Sequence, residues 1–389
     1  MLVGVDDNLS RKDVVVISGG YDDDRQDSAS TARNSSGDEF GRAIYIVDAF
    51  SGELYWWASK TESEDPQDIK FKSDDMKWGF TGSVRLVDIN GDEIIDMMFA
   101  ADNGGQVWRF DIDNQLLATD NKPWLERITG GVIADFQKGD VTSELTAANN
   151  RRFYYTPDIA LVGIEDDPYL TIALGSGYRA HPLDENIYDR FYLIKDYSVT
   201  GPPLDEQREI SYTLLYEDDL LDVTDINLAD PETESKLTDA QNAKLDQGWL
   251  LRLRDNEKVL APSITVAGSV IFTTYTPPVD LIDENTCNLK HSTGTTYIVR
   301  IDDARPIYDL AAEFGGNLTK EDRKQGLVST GIPPEPLPVY QETPVGGDIV
   351  SDTKRCPFIE VSILVGKEIL PDATCTTHEA SYWYQKGIR

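Results

Sequence analysis

The sequence predicts an all-β fold, and three of its features lead to that prediction. Short hydrophobic runs rich in Val, Ile, Tyr, Phe and Thr alternate with Gly, Asp, Asn and Pro, as strands and turns do. These runs recur in pairs along the chain. Helical periodicity is weak, with one candidate helix at 230–248. The candidate strands are 13–20, 42–50, 83–89, 97–102, 106–112, 170–177, 190–196, 248–255, 263–276 and 295–302.

The two members of each pair end differently. One is a hydrophobic strand that ends in Gly or Asp, such as "VVVISGG" at 14–20. The other is aromatic and aliphatic and ends in an acidic residue, such as "QVWRFDIDN" at 106–114. A propeller blade is a small sheet that buries its faces only against its neighbours, so this recurrence is typical of a quinoprotein-like β-propeller. A β-sandwich is the alternative.

The chain is predicted to contain two regions. Residues 1–330 form the β-propeller, with an acidic and partly helical insertion near 216–248. Residues 331–389 begin with a Pro- and Gly-rich segment that is predicted to be an extended loop. Two strands, at 358–366 and 380–387, follow it and either close the propeller or cap it.

Composition excludes some classes of partner. The chain has 389 residues, of which 40% are hydrophobic, so it can build a substantial core. Asp and Glu number 69 against 36 Lys and Arg, and the net charge is −33. Nucleic acids and anionic lipid surfaces both require clustered positive charge, so neither is expected as a partner.

No targeting or membrane segment is predicted from the sequence. No run approaches the roughly 18–20 apolar residues of a membrane span. The opening stretch has Asp6 and Asp7 near the place where a signal peptide would be positively charged.

Cysteine and histidine are scarce. Cys356 and Cys375 lie in a loop-rich tail and could pair in an oxidising compartment, which would leave Cys287 single. The alternative is that no disulfide forms. The three Cys and three His residues share no ligand-like spacing, so no zinc site is expected.

The segment "DINGDEIID" at 88–96 is predicted to bind calcium. Calcium loops place side-chain oxygens at positions 1, 3, 5 and 9 and a backbone carbonyl at position 7. The ligands would therefore be the side chains of Asp88, Asn90, Asp92 and Asp96 and the carbonyl oxygen of Ile94. Oxygen ligands suit a hard cation that accepts six to eight of them.

The flanks show that this loop is not an EF-hand. Position 6 is Glu93 instead of Gly, and position 12 is Phe99 instead of a bidentate Glu. Strand-like runs lie on both sides, so the loop would join two strands of a β-hairpin. Gly91 would permit its tight curl. The alternative is an Asx-rich turn that holds no ion.

Other acidic and aromatic groups receive structural interpretations. Asp22, Asp24 and Asp27 could hold a second cation, although a solvated loop is favoured. The acidic run at 217–227 is interpreted as mostly surface charge. Aromatic core positions are predicted at Trp56, Trp57, Trp108 and Trp249.

An enzyme is not expected. The sequence has no Ser-His-Asp grouping, no Gly-x-Ser-x-Gly and no phosphate-binding loop. A quinoprotein dehydrogenase would share the blade repeat, but its regular tryptophan-docking repeats and cofactor signature are not visible.

Residues 82–113 resemble the C-terminal domain of the PilC/PilY family, the adhesins and assembly factors of the type IV pilus tip. The resemblance lies in the calcium-type loop followed by a Gly-x-Val-Trp-Arg-Phe-Asp strand, which begins here at Gly105. Further stretches in 13–340 are similar to neighbouring blades of that family, among them "VVVISGG", "LTIALGSGYR", "DQGWLLRLRD" and "TGIPPEPLPV". Repeats upstream in that family have no counterpart here, so three alternatives are open: the chain is a fragment, it is a modified or incomplete propeller, or the missing strands come from elsewhere.

The resemblance implies a location and a role. It implies a protein secreted to the cell surface, at the pilus tip or outer membrane after transit through the periplasm. Its partners would be minor pilins and an unspecified host-cell or surface receptor, and its roles pilus extension against retraction, twitching motility and adhesion. Calcium would be the regulatory input. An extracellular calcium-stabilised binding propeller, integrin-like or carbohydrate-binding, is the alternative.

Overall fold

Strands dominate the structure, which is a computed structural model, so the all-β prediction is confirmed. The residues that it describes are 2–5, 11–27, 37–60, 70–113, 127–137, 149–163, 167–254, 256–278, 282–283, 288–289, 291–308, 318–342, 359–366, 368–369 and 374–376.

Within these residues, five sheets of four or five strands follow one another in chain order. Sheet I contains β1 (Leu2–Val5), β2 (Arg11–Ser18), β3 (Ala43–Asp48), β4 (Leu54–Ser59) and β5 (Phe71–Lys72). Sheet II contains β6 (Arg85–Val87), β7 (Met97–Ala101), β8 (Gln106–Ile112) and β9 (Ile128–Asp135). Sheet III contains β10 (Asp158–Val162), β11 (Tyr169–Gly175), β12 (Arg190–Asp196), β13 (Leu221–Asp222) and β14 (Gly248–Arg252).

Sheets IV and V complete the series. Sheet IV contains β15 (Lys258–Val259), β16 (Ile264–Val266), β17 (Ser269–Thr276), β20 (Thr293–Arg300) and β21 (Lys324–Gly326). A separate strand pair is formed by β18 (Ile282–Asp283) and β19 (Asn288–Leu289). Sheet V contains β22 (Leu337–Glu342), β23 (Ile359–Val365), β24 (Glu368–Ile369) and β25 (Thr374–Thr376).

Consecutive sheets pack face to face, because the side chains of a strand point alternately to the two faces of its sheet. In β7, Met98 and Ala100 face the core shared with sheet I, whereas Met97, Phe99 and Ala101 face the core shared with sheet III. Successive side chains of a strand point to opposite faces, so a strand with cores on both sides is hydrophobic throughout.

Sheet III also has a core on each face, one shared with sheet II and the other with sheet IV. Sheet IV shares a further core with sheet V. Tyr192 of β12 stacks on Phe136 at 4.1 Å on one side, and Phe191 stacks on Phe272 at 3.8 Å on the other. None of the core clusters among the described residues joins sheet V to sheet I, so closure into a propeller stays a prediction.

Two predicted elements are divided in the structure. The strand predicted at 263–276 is the hairpin β16–β17, because Ala267 and Gly268 adopt positive φ angles of 48° and 77° and form the turn. The helix predicted at 230–248 is two helices, α2 (Pro231–Glu234) and α3 (Asp239–Gln247). Thr238 starts α3 with a capping box, which explains the break. A further short helix, α1 (Asp23–Gln26), follows β2.

The acidic segment near 216–248 is more than an insertion. It contributes β13, which pairs in parallel with β14 in sheet III. Leu221, Val223 and Leu228 are buried in the core between sheets III and IV. The segment therefore completes one sheet and one core.

The C-terminal region forms a sheet that includes part of the segment predicted to be an extended loop. Residues of the Pro- and Gly-rich segment form β22, which pairs with β23 from Leu337↔Leu364 to Glu342↔Ile359. Ile363 and Val365 of β23 pack on Ile264 and Ile298 of sheet IV. The predicted strand at 380–387 lies outside the described residues, and the division of the chain near residue 330 stays a prediction.

No helix among the described residues is long and apolar enough to cross a membrane.

Candidate metal centre

The loop 88–96 joins β6 to β7 in sheet II, as the sequence predicts. The two strands pair up to Val87↔Met97 at the base of the loop. The backbone N–H of Asp96 donates to Val87 at 2.8 Å, and the N–H of Ile112 donates to the carbonyl oxygen of Asp96 at 2.8 Å. The last candidate ligand is therefore anchored to the sheet, while the preceding residues project from it.

The first half of the loop is built by carboxylate and amide oxygens that accept backbone N–H groups. Asp88 accepts from Gly91 at 2.8 Å and from Glu93 at 2.7 Å. Asn90 accepts from Asp92 at 2.9 Å, and Asp92 accepts from the N–H of Ile94 at 2.9 Å. These successive Asx turns coil the backbone around its own side-chain oxygens.

The coil requires two residues with positive φ. Gly91 has a φ of 79°, which a glycine adopts without strain. Glu93 has a φ of 71°, which is uncommon for a residue with a side chain. The curl that Gly91 was predicted to permit is present. Position 6 has the left-handed geometry that EF-hands give to glycine, although Glu93 occupies it.

Asp96 returns toward the start of the loop. Its Oδ2 accepts from the N–H of Ile89 at 2.8 Å, and its side chain is half-buried. Burial raises the pKa of Asp96, and the nearby charges of Asp88 and Asp92 raise it further. The three carboxylates therefore repel one another within one short loop.

The donor set fits a hard cation in its chemistry. Every candidate ligand supplies oxygen, and Ile94, whose side chain is buried, can supply its carbonyl. Arg11 lies 3.8 Å from the carboxylate of Glu93, which is not a candidate ligand, so this cationic contact is peripheral to the site. Among the residues that the structure describes, no three His, Cys, Asp or Glu side chains are gathered as a metal-binding group. The oxygens of the loop bond to backbone N–H groups instead.

The acidic segment at Asp22–Asp27 contains helix α1, and of its three candidate ligands Asp22 is buried whereas Asp24 and Asp27 are exposed. Asp22 is 2% exposed and caps α1. Its oxygens accept from the N–H groups of Arg25, Glu39 and Phe40. Asp27 accepts from the hydroxyl of Tyr21 at 2.6 Å. This use of Asp22 in a turn argues against a second cation there.

The predicted aromatic core positions are largely correct. Trp56, Trp108 and Trp249 are each at most 1% exposed and lie between consecutive sheets. Trp57 is half-buried and stacks on Tyr45 at 5.7 Å. Cys287 and Cys356 lie outside the described residues, as does the side chain of Cys375, so the disulfide pairing stays a prediction.

Sequence reasoning missed a buried ion cluster next to the loop. Arg109 is fully buried and donates to Asp111 at 2.6 Å and to Asp196 at 2.6 Å. Tyr212 donates its hydroxyl to Asp111 at 2.7 Å. The sequence did offer one signal, a basic residue inside the strand "QVWRFDI". This strand is hydrophobic on both faces, and a charged residue is buried in such a strand only when it has a partner of opposite charge.

A second cluster shows that one member of the acidic run at 217–227, Glu217, is not surface charge, whereas Asp218 and Asp225 are exposed. Glu217 is 6% exposed and lies 3.0 Å from Arg151, and it also pairs with Arg190. It accepts a hydrogen bond from the Tyr192 hydroxyl. Its partners come from positions far away in the sequence, so the acidic run alone did not reveal them.

A third buried carboxyl group predicts a pH dependence. Burial raises the pKa of Asp189 to about 6, although Ser176 donates to its Oδ1 at 2.7 Å. Because the folded chain binds this proton more tightly than the unfolded chain does, the stability that it contributes is complete below pH 3.8 and is lost as the pH rises to about 6. We therefore expect Asp189→Asn to be more stable than the wild type above pH 6, by up to about 3 kcal/mol.

Urea unfolding between pH 4 and pH 8 would measure this difference, which should shrink toward the acidic end. Asp225→Asn is the control, because the hydrogen bond from Lys320 lowers the pKa of that exposed carboxyl. Its substitution should cost stability at neutral pH. An Asp189→Asn chain that is less stable than the wild type at pH 8 would contradict the assignment.

Comparison with known proteins identifies a solved structure with a similar fold. No protein-family model matches the chain, and no curated protein matches its sequence. A solved structure, the C-terminal domain of Pseudomonas aeruginosa PilY1, is similar over 97% of this chain and 72% of that chain, with a TM-score of 0.53 and 16% identity. The chain therefore has the fold of a PilY1-like C-terminal domain, as its resemblance to the PilC/PilY family predicts.

Proposed function

We propose that the loop 88–96 binds calcium through the side chains of Asp88, Asn90, Asp92 and Asp96 and the carbonyl of Ile94. The observation that carries the proposal is the return of Asp96 toward Ile89, 2.8 Å from its backbone nitrogen, beside the coil of Asx turns. Oxygen ligands at these spacings, on a backbone that already curls, suit a flexible site for a divalent cation.

Electrostatics supports an effect of the ion on the loop. Asp88 and Asp92 raise the pKa of Asp96, so the ionised carboxylates destabilise one another. A divalent cation would replace this repulsion with attraction and would tie the exposed half of the loop to the anchored Asp96. Phe99 at position 12 is buried in β7 and offers no ligand, so water would complete the coordination.

A calcium titration of the chain tests this proposal. We expect the wild type to bind one calcium ion with a Kd between about 1 μM and 1 mM, a range that extends from calcium sensors to extracellular modules. Asp96→Ala should weaken binding at least about tenfold, because it removes the ligand that closes the loop. Asp225→Ala, which removes an exposed carboxylate 86% accessible to solvent, is the matched control. Isothermal titration calorimetry at constant ionic strength would measure all three.

Two outcomes would contradict calcium binding at this loop. One is a wild type that binds no calcium below about 10 mM, which lies beyond the range of extracellular sites. The other is equal weakening by Asp96→Ala and Asp225→Ala, which would indicate general charge attraction.

For the whole chain, we propose a non-enzymatic role at the type IV pilus tip, where it supports pilus extension and surface adhesion. The PilY1-like fold and the loop followed by the "GGQVWRFDID" strand support this role. We also propose that the five sheets form the arc of a modified propeller, since each consecutive pair of sheets shares a core.

Calcium would act on this role through the conformation of sheet II. Its effect is limited to the difference in its affinity for the two functional states. Cells that carry Asp96→Ala should therefore show fewer surface pili than cells with the wild type or with Asp225→Ala. Pilus counts by electron microscopy would measure this. Lost calcium binding with unchanged pilus numbers would favour the alternative, an extracellular calcium-stabilised binding module without a pilus role.

A further inference from the structure

The loop 88–96 is held by sheet I as well as by sheet II. Ile95 stands at position 8 of the loop, between the carbonyl of Ile94 at position 7 and the side chain of Asp96 at position 9. The side chain of Ile95 is fully buried and belongs to the core that sheet II shares with sheet I. The residue between two proposed ligands therefore has its place set by the packing of two sheets.

Three strands of sheet I contribute to the core that contains Ile95. Their residues in this core are each at most 5% exposed and include Val14 of β2, Ile44 and Ile46 of β3, and Trp56 and Ala58 of β4. Protein interiors are closely packed, so a buried side chain cannot move without its neighbours. A displacement of Ile95 would therefore disturb the contact between the two sheets.

The first half of the loop has an apolar anchor on the opposite face of sheet II. Ile89, at position 2, packs against the core between sheets II and III. Its backbone N–H donates to Oδ2 of Asp96 at 2.8 Å. The hydrogen bond that closes the loop thus links a residue anchored in one core to the neighbour of a residue anchored in the other.

An ion pair gives direct evidence that sheet I adjoins the loop. Arg11 of β2 lies 3.8 Å from the carboxylate of Glu93, at position 6. Both side chains are largely exposed, so this pair contributes little to stability. The apolar contact through Ile95 is therefore the stronger link between the loop and sheet I.

We propose that Ile95 is a positioning residue for the calcium loop and that it couples calcium binding to the packing of sheet I on sheet II. This inference rests on the proposed calcium site. An ion held by the carbonyl of Ile94 and the carboxylate of Asp96 would fix the backbone on both sides of Ile95, and so would favour its place in the core. By linkage, the packing of Ile95 favours the ion-binding loop by the same factor.

Calcium titrations of core variants test the positioning role. Ile95→Ala should weaken calcium binding at least about fivefold, as a coupled site does. Ile95→Val removes less of the side chain and should weaken binding by a smaller factor, so it serves if the alanine variant does not fold. Ile271→Ala is the matched control, because Ile271 is buried in the core between sheets IV and V. Its Kd should stay within about twofold of the wild type, as expected for a distant site.

The outcome that would overturn the positioning role is an equal change of Kd in Ile95→Ala and Ile271→Ala. Such a result would show that calcium binding responds only to the general stability of the chain.

Hydrogen exchange of the wild type, with calcium chloride or with sodium chloride of equal ionic strength, tests the coupling. Calcium should slow the exchange of amides in β2 and β3 of sheet I at least about threefold more than that of amides in β17 and β20 of sheet IV, because the ion opposes local separation of sheets I and II. Equal slowing in both sheets, or slowing confined to the loop, would overturn this inference alone. A wild type that binds no calcium would overturn the proposed site as well.

Discussion

Replacement of Arg109 by alanine is expected to destabilise the protein by about 3–5 kcal/mol, because it leaves buried carboxylates without their cation. Arg109 is fully buried, and its guanidinium donates to Asp111, to Asp196 at 2.6 Å and to the carbonyl of Gly201 at 2.7 Å. Asp196 is the last residue of β12, and Gly201 follows that strand. The side chain of Arg109 therefore connects sheet II to sheet III. Urea unfolding at pH 7 would measure the loss.

The pH dependence separates the loss of charge from the loss of volume. If the uncompensated Asp111 causes the effect, the difference from the wild type should decrease as the pH falls and Asp111, whose pKa is raised by burial, becomes protonated. Arg300→Ala is the control, because its pair with Asp302 is exposed and should contribute less than about 1 kcal/mol. A similar cost for both substitutions, or a difference that does not change with pH, would contradict this account.

Replacement of Trp249 by alanine is expected to cost about 3–5 kcal/mol, since it leaves a large cavity between sheets III and IV. The side chain is fully buried beside Phe191, and its Nε1 donates to the carbonyl of Ile301 at 2.9 Å. The indole therefore connects two sheets by packing and by a hydrogen bond. Chemical denaturation at fixed pH would measure the change in the free energy of unfolding.

Two further variants divide this effect. Trp249→Phe keeps a ring but loses the donor to Ile301, and should cost about 1–3 kcal/mol. Phe50→Ala, at a side chain 85% exposed, should stay within about 0.5 kcal/mol of the wild type. If Trp249→Ala were as mild as Phe50→Ala, the packing of sheet III on sheet IV would contribute little to stability.

The sequence reveals the burial of Trp249 more readily than the ion pairs of Arg109. Trp249 was predicted to lie in the core because it is a large aromatic residue in a strand-like run. Arg109 stands in an equally hydrophobic run, yet nothing near it in sequence identifies Asp196, which lies 87 residues away. Asp111, two residues away, was the one local sign of its pairing.

What the sequence determined by itself was local. Alternation and turn residues located β8 (106–112) and β12 (190–196) at the bounds that the structure gives them, because strand formation follows from side-chain shape and turn chemistry nearby. The coil at 88–96 was predictable for the same reason, since its oxygens and the N–H groups that they accept from lie within nine residues. The break before α3 was not predicted, although the capping box at Thr238 that causes it is equally local.

Only the tertiary structure decided which charges are buried and which strands join which sheet. Glu217 and Asp22 stand in acidic runs that look solvated, yet both are buried, because their partners arrive from distant parts of the chain. The segment around β13 became part of sheet III because β14 offered it a free edge and the next core accepted its leucines. Burial depends on the neighbours that folding brings together, and a linear pattern of residues does not contain them.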